Sequence, residues 1–149
     1  MKNGKGFTLI ELLLVLAIIG ILTTFLMANF LGVKARARDA QRKSDLRQIQ
    51  AALEQYRADQ GIYPLSLSCG GALQSPDGTT VYMEKIPCDP LSGAPYIYNA
   101  NTTGPTAGTT YTLTACLENG NDPQIDIKNG LLNNAKCTPG TWSYTLSNP

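Results

Sequence analysis

The sequence predicts an α+β protein in which one long N-terminal α-helix packs on a small antiparallel β-sheet head. All nine prolines lie at Pro64 or later, so nothing before that residue removes a helical hydrogen-bond donor. Beyond it, glycine, proline, threonine and asparagine dominate, and short alternating apolar runs stand between turn signals, as in antiparallel strands. We therefore expect a helix over residues 7–60 and a β-rich head over residues 61–149.

The first half of the predicted helix is strongly apolar. The run Leu12–Val33 contains no charged side chain. As a helix it would extend ~33 Å, enough to cross a hydrocarbon core of ~30 Å. We predict that residues 7–33 form a transmembrane and assembly helix and that residues 1–6 are a leader. The alternative is a buried helix of a soluble protein, in which so long an uncharged run is rare.

The second half of the helix, residues 34–60, is predicted to be amphipathic. Its apolar side chains recur at steps of three and four residues and form one stripe, made of Leu46, Ile49, Leu53 and Tyr56. This stripe must pack on the head. Three or four strands are expected to cover it, over Tyr96–Asn99, Tyr111–Leu117, Gln124–Lys128 and a final strand that places Trp142, Tyr144 and Leu146 on one face.

All four cysteines fall in the head, and four cysteines allow three pairings. We favour Cys69 with Cys88 and Cys116 with Cys137, because each pair closes a loop-rich segment of a head too small for a generous core. A four-cysteine zinc site is the rival, although no C-x-x-C pair is present. Free thiols in a cytosolic domain are the third possibility.

The N-terminus carries the most specific motif. After a short basic leader comes Gly6-Phe7-Thr8-Leu9-Ile10-Glu11, followed by the apolar helix. This segment closely resembles the signal of type IV pilins and of the pseudopilins of type II secretion. The segment AALEQYRADQGIYP at residues 51–64 resembles the end of the helix in this family. The segment IPCDPLSGAPYIY at residues 86–98 resembles the PulG-like pseudopilin branch and related pilins.

The resemblance implies a processing and assembly role for three residues. In that family a prepilin peptidase cuts after the glycine, here Gly6, and methylates the new N-terminal amine, here that of Phe7. Glu11 is the only charge deep in the apolar region, where an unpaired carboxylate is costly. In a packed fibre Glu11 can meet the Phe7 amine of a neighbour and so fix the register between identical helices. The other interpretation is a carboxylate merely tolerated near the interface.

Two classes of function follow. The favoured one is a structural subunit of a type IV pilus or type II secretion pseudopilus, with copies of itself, related pilins, the peptidase, an inner-membrane assembly platform and, before assembly, membrane lipid as partners. The alternative is a single-pass anchored binding module outside the cytoplasm that never polymerises. The chain has no histidine, and it shows no nucleophile and base pair and no phosphate loop. We expect no enzymatic activity.

The chain is expected to sit in the inner or cytoplasmic membrane as a single-pass protein, with its head outside and its fibre in the periplasm or on the cell surface. The positive-inside rule argues the opposite, because six basic residues follow the apolar run: Lys34, Arg36, Arg38, Arg42, Lys43 and Arg47. The leader motif and the cysteines outweigh that rule. These cations could attract DNA, but Asp39 and Asp45 dilute the patch and the net charge is only +1. No specific nucleic acid is predicted.

No cofactor is predicted, and calcium is the one weak candidate. The resemblance implies it, because major pseudopilins of the PulG type bind calcium in a loop near the C-terminal strands. Here Glu118, Asp122 and Asp126 cluster in the sequence and supply the oxygen ligands that calcium prefers. Their spacing matches no EF-hand pattern, so a solvated turn is the favoured interpretation.

Overall fold

A computed structural model describes residues 6–101, 107–128, 137 and 142–148, except for the side chains of residues 25–31 and 127–128. It divides into two units, Met1–Lys34 and Ala35–Pro149. Each unit is described by itself below.

One helix, α1, spans Leu9–Gln60. It begins directly after Thr8 and ends directly before Gly61, which has a φ of 80°. The Gly61 N–H donates to the Arg57 carbonyl at 2.8 Å, the arrangement with which many helices end, because glycine adopts the left-handed conformation without a steric penalty. The helix predicted over residues 7–60 is confirmed, with its start two residues later than expected.

In the first unit the apolar side chains of α1 face outward. Their exposed fractions include 88% for Leu9, 76% for Ile10 and 61% for Ile21. Over the residues that the structure describes, no helix is long and apolar enough to cross a membrane. The predicted span over Leu12–Val33 is therefore not confirmed, and it stays a prediction.

The described residues of the second unit include six short strands. Two of them, β1 (Leu73–Gln74) and β2 (Val81–Met83), form an antiparallel pair. The other four form an antiparallel sheet in the order β3-β4-β6-β5, and their bounds are β3 Ile97–Ala100, β4 Tyr111–Leu117, β5 Ile127–Lys128 and β6 Trp142–Ser147. The prediction of a long helix packed on a small antiparallel sheet is confirmed.

The core lies between the second half of α1 and this sheet. All four residues of the predicted apolar stripe are buried, with exposed fractions from 0% at Leu46 and Leu53 to 8% at Tyr56. The predicted inner face of β4 is buried opposite them and consists of Tyr111, Leu113, Ala115 and Leu117. Burying a large apolar side chain contributes roughly 1.5–3 kcal/mol. The stripe and β4 are therefore the main hydrophobic contact of this unit.

Strand bounds agree with the sequence to different degrees. Strand β4 has the predicted bounds, and β3 is shifted by one residue from the predicted Tyr96–Asn99. The strand predicted over Gln124–Lys128 is reduced to Ile127–Lys128, because Asp122 accepts from the Gln124 N–H and holds the preceding residues in a turn. The β1–β2 pair was not predicted.

Two disulfides join Cys69 to Cys88 and Cys116 to Cys137, with Cα–Cα distances of 5.2 and 5.5 Å. This is the pairing favoured from the loop argument. Cys69–Cys88 fastens the segment after α1 to the segment before β3. Cys116 lies in β4, so the second bridge ties the chain at Cys137 to the sheet.

Candidate functional site

The predicted cleavage point lies in an exposed, non-helical segment. Gly6, Phe7 and Thr8 precede α1, and all three are exposed. The space where Gly6 would carry a Cβ holds no other atom within 4 Å. A protease needs a peptide bond in an uncovered segment outside regular secondary structure, and the Gly6–Phe7 bond lies in such a segment.

Glu11 is held by a reciprocal hydrogen-bonding arrangement with Thr8. The backbone N–H and the hydroxyl of Thr8 each donate to the Glu11 carboxylate at 2.9 Å, and the Glu11 N–H donates to the Thr8 hydroxyl at 3.3 Å. This is a capping box, in which the first turn of a helix satisfies its own free N–H groups. Sequence reasoning missed Thr8, although a threonine three residues before a glutamate at the start of an apolar run is its known signature.

The capping box fixes the position of the Glu11 carboxylate. The group lies in the first turn of α1, where the helix dipole favours a negative charge. Glu11 forms no salt bridge within the described part of the chain. Among the described residues it therefore has hydrogen-bond partners but no positive counter-charge, and a cation from another molecule can still pair with it.

A second group of charged side chains joins the helix to the head. We name it the charge cluster, and its members are Arg38, Asp39, Arg42, Asp89 and Glu118. Arg42 is its centre and is only 2% exposed. Its guanidinium pairs with Asp39 at 2.8 Å, with Asp89 at 2.5 Å and with Glu118 at 2.6 Å. Arg38 adds two hydrogen bonds to the Glu118 carboxylate.

Asp39 completes the cluster from inside. Its carboxylate is 1% exposed and accepts hydrogen bonds from the backbone N–H groups of Glu118 and Asn119, at 2.8–3.1 Å. The helix thus supplies a carboxylate that holds the chain directly after β4. Because Asp89 lies before β3, Arg42 brings three distant chain segments to one point.

The cluster shifts the pKa values of its carboxyl groups. Hydrogen bonds from Arg38 and then Arg42 outweigh burial and lower the pKa of Glu118 to about 2. At Asp89, burial opposes ionisation, but hydrogen bonds from Arg42 and from the backbone of Ser92 and Leu91 hold its pKa well below its usual range. Both groups are ionised at neutral pH. The cluster is a closed set of ion pairs and does not resemble an acid–base pair for catalysis.

Of the three weak calcium candidates, two form ion pairs with cations of the helix and the third is exposed. Glu118 belongs to the charge cluster, and Asp122 accepts from the Lys43 ammonium at 2.6 Å. Asp126 is exposed, and its N–H donates to the Ser143 carbonyl. In the described segments no three carboxylate or thiol groups lie close enough together to hold a metal ion. Calcium binding therefore stays a prediction from the resemblance.

The basic stretch that follows the apolar run is not one exposed patch. Arg42 is buried, and Arg38 and Lys43 are half-buried in ion pairs with the head. Asp39 and Asp45 are also buried, at 1% and 3% exposure. The sequence analysis treated these side chains as surface charges. The signal that it passed over is that Asp39 and Arg42 continue the three-and-four spacing of the buried stripe.

Comparison with known proteins decides the family. Residues 1–27 match the prokaryotic N-terminal methylation motif, and residues 29–130 match the family described as type II secretion system protein G. The chain belongs to the protein G family. The second match covers the end of the apolar segment, the charge cluster and most of the head, so this membership does not rest on the N-terminal motif alone.

Several curated relatives agree with this membership. The type II secretion system core protein G of Pseudomonas aeruginosa is 36% identical over 139 residues, which are 86% of this chain and 96% of that protein. The core protein G of Klebsiella pneumoniae is 32% identical over 101 residues, 60% of this chain and 71% of that protein. The type IV wide pilus major component PilA4 of Thermus thermophilus is 44% identical over 63 residues, 42% of this chain and 48% of that protein. No solved structure gives a significant match.

Proposed function

We propose that this chain is a structural subunit that is processed at its N-terminus and polymerises through its helix into the pseudopilus of a type II secretion system. Protein G family membership over residues 29–130 carries this proposal. The exposed apolar side chains at the start of α1 support it, because a large uncovered apolar surface needs lipid or another protein chain to cover it. The family is structural, and we propose no enzymatic activity.

Prepilin peptidase would cut between Gly6 and Phe7 and methylate the Phe7 amine. The match to the N-terminal methylation motif supports this step. The exposed, non-helical segment at residues 6–8 supports it as well. Cleavage leaves Phe7 as the first residue, four positions before Glu11, with Thr8 directly between the new amine and the helix.

Glu11 would pair with the Phe7 amine of a neighbouring copy. The carboxylate forms no salt bridge with the residues that the structure describes and is already oriented by Thr8. An ion pair between two copies in an apolar surrounding tolerates little misalignment, because a displaced charge remains buried and unpaired. This contact would set how far each helix is shifted along its neighbour.

A pseudopilus is favoured over a pilus because of where the similarities lie. The similarity to core protein G of Pseudomonas aeruginosa extends over 139 residues and therefore includes the head. The similarity to PilA4 covers 63 residues. The longer match compares most of this chain, head included, with a type II secretion protein, so it is the more informative one.

Before assembly the chain would be a single-pass protein of the inner or cytoplasmic membrane with its head outside. The two disulfides support an external head, since such bonds persist in oxidising compartments. An inner-membrane assembly platform would receive the subunit there. The opposing charge argument is weakened, because three of the six cations after the apolar run are paired with carboxylates of the head.

The competing function is an anchored binding module that does not polymerise. Such a module needs neither a cleavage motif nor a carboxylate near the start of its anchor. The two functions predict that the chain is recovered in different cell fractions. A subunit is recovered in sheared fibres, whereas an anchored module stays in the membrane fraction.

The test begins with a host that lacks its own gene for this chain. Expression of the chain should restore secretion of exported proteins. Mass spectrometry of the recovered chain should give a first residue of Phe7 with one added methyl group. A chain that retains residues 1–6 and leaves secretion unrestored would contradict the proposal.

A further inference from the structure

The exposed face of α1 carries a shallow basic groove. Its lining includes Ala40, Lys43, Arg47 and Ala51 of the helix and, from the head, Gln124. These helical residues recur at steps of three and four, so they form one face, opposite the buried stripe. The groove encloses about 420 Å³. Because Ala40 and Ala51 have small side chains, another chain can approach the helix closely there.

Arg47 gives this groove its positive charge. Its side chain is exposed, and it forms no salt bridge with the residues that the structure describes. Lys43 already pairs with Asp122. Within the described residues, Arg47 is therefore a cation of this groove without a salt bridge, and a carboxylate from another molecule can reach it.

The same unit carries an acidic groove at the other end of this helix segment. It encloses about 450 Å³ between the last turn of α1 and the turn that joins β1 to β2. Asp59 and Asp77 line it, and both are exposed. Hydrogen bonds from Ser75 and from Thr79 lower the pKa of Asp77, so this carboxylate stays ionised over a wide pH range.

We propose that the basic groove around Arg47 binds the acidic groove around Asp59 and Asp77 of a second copy of this chain. The two grooves carry opposite charge and lie at different places on one subunit. A contact between two different surfaces of identical chains is heterologous, and it propagates into an open filament when its rotation does not close into a ring. The inference rests on the proposed polymerisation and names a lateral surface for it.

The spacing along the helix suits a fibre of parallel subunits. Arg47 and Asp59 are twelve residues apart, which corresponds to ~18 Å along the axis at ~1.5 Å per residue. Two parallel copies displaced by about that distance bring the cation of one opposite the carboxylates of the other. Copies at equal height would instead leave the basic groove of one and the acidic groove of the other ~18 Å apart along the axis.

Cysteine cross-linking in assembled fibres tests this contact directly. The described cysteines are all in disulfides, so new thiols can be placed at exposed positions in each groove. Full-length Gln48→Cys and Thr79→Cys chains, expressed together with the wild-type chain, should give a disulfide-linked dimer in at least tenfold greater amount than either variant alone. The control pair is Gln48→Cys with Asn99→Cys, since Asn99 is exposed on β3 and lines neither groove.

Charge reversal supplies a second readout. Arg47→Asp and Asp59→Arg should each lower the yield of sheared fibre at least fivefold, and the double variant should recover to within twofold of wild type. Lys85→Asp is the matched control, an exposed cation outside both grooves, and should leave the yield unchanged.

Fibres that assemble normally but contain no dimer above the control pair would overturn this inference and leave the proposed function intact. A double charge variant that does not recover would also overturn it. Absence of fibres from the wild-type chain would overturn both this inference and the proposed polymerisation.

Discussion

At the scale of single residues, Arg42 shows most clearly how the helix and the head recognise each other. It is a buried cation with three carboxylate partners, two of them from distant segments of the head. Such a set adds little stability relative to apolar residues of the same size, but removing one member leaves the others buried and unpaired. Arg42 therefore specifies how the segments meet.

Replacing Arg42 should destabilise the head strongly. Arg42→Leu leaves the buried Asp39 carboxylate without its cation, so we expect the free energy of unfolding to fall by about 3–5 kcal/mol. Urea unfolding in detergent, followed by the fluorescence of Trp142, measures this, because Trp142 is the one tryptophan of the chain and lies in the head. Arg47→Leu, at an exposed position of the same helix, should change the value by less than about 0.5 kcal/mol. Equal effects of the two variants would refute this role for Arg42.

The pKa values of the cluster predict a loss of stability in acid. The pKa of Glu118 is lowered from its ordinary 4.5 to about 2 in the folded chain. A lowered folded pKa contributes stability that is full above the ordinary value and is lost as the pH falls towards the folded value. The urea midpoint should therefore fall between pH 4.5 and 2. Glu118→Gln should lower the midpoint at pH 7 and flatten this part of the profile; an unchanged slope would exclude Glu118 as a cause.

Some of these residues could be predicted from the sequence and others could not. The disulfide pairs followed from loop closure, and Glu11 followed from its isolation in an apolar run. Thr8 was within reach, since the capping box has a local signature. The partners Asp89 and Glu118 of Arg42 were not, because no local pattern states which distant segments will meet at a buried guanidinium.

Among the helices and strands, the sequence predicts those buried faces whose apolar side chains recur at a regular spacing. The stripe of α1 and the inner face of β4 were predicted because apolar side chains recur at helical and strand spacing over many residues. The β1–β2 pair has strands of two and three residues around Pro76-Asp77-Gly78, too short for any alternation to be visible. Its turn alone could be expected.

The turn after β4 depends on a close approach between Gly120 and Trp142. A Cβ added at Gly120 would overlap the indole ring of Trp142. Gly120→Ala should therefore displace the ring, lower the free energy of unfolding by about 1–3 kcal/mol and shift the fluorescence of Trp142. Gly32→Ala lies in the helix with open space around it and should leave the emission unchanged. The same spectrum from both variants would show that the turn tolerates a side chain.

The disulfide at the end of β4 should contribute to stability through the chain that it closes. Cys116 and Cys137 are 21 residues apart, and loss of a native disulfide from a small external domain costs about 2–5 kcal/mol. The double variant Cys116→Ala with Cys137→Ala should lower the urea midpoint accordingly. The Cys69→Ala and Cys88→Ala double variant is the matched comparison for a loop of 19 residues. No change in either midpoint would contradict a structural role for these bridges.

At the scale of the whole molecule, the chain combines a helix start that is open to other molecules with a head that is closed on itself. Among the described residues of the unit Met1–Lys34, the apolar side chains are exposed and Glu11 forms no salt bridge. In the unit Ala35–Pro149 most charged side chains of the helix contact the head. Three form ion pairs, namely Arg38, Arg42 and Lys43, and four form hydrogen bonds, namely Asp39, Asp45, Glu54 and Arg57. This division suits a subunit whose head folds alone and whose helix is completed by its neighbours.

We propose that the chain polymerises through an ion pair between Glu11 and the Phe7 amine of a neighbouring copy. The most direct measurement is the amount of processed chain in sheared fibres from cells that express wild type, Glu11→Ala or the matched variant Glu84→Ala, an exposed carboxylate of the head. We predict normal fibres from wild type and Glu84→Ala. We predict that Glu11→Ala is cleaved and retained in the membrane fraction, with fibre yield at least tenfold lower. A normal yield of fibres from Glu11→Ala would contradict polymerisation through Glu11.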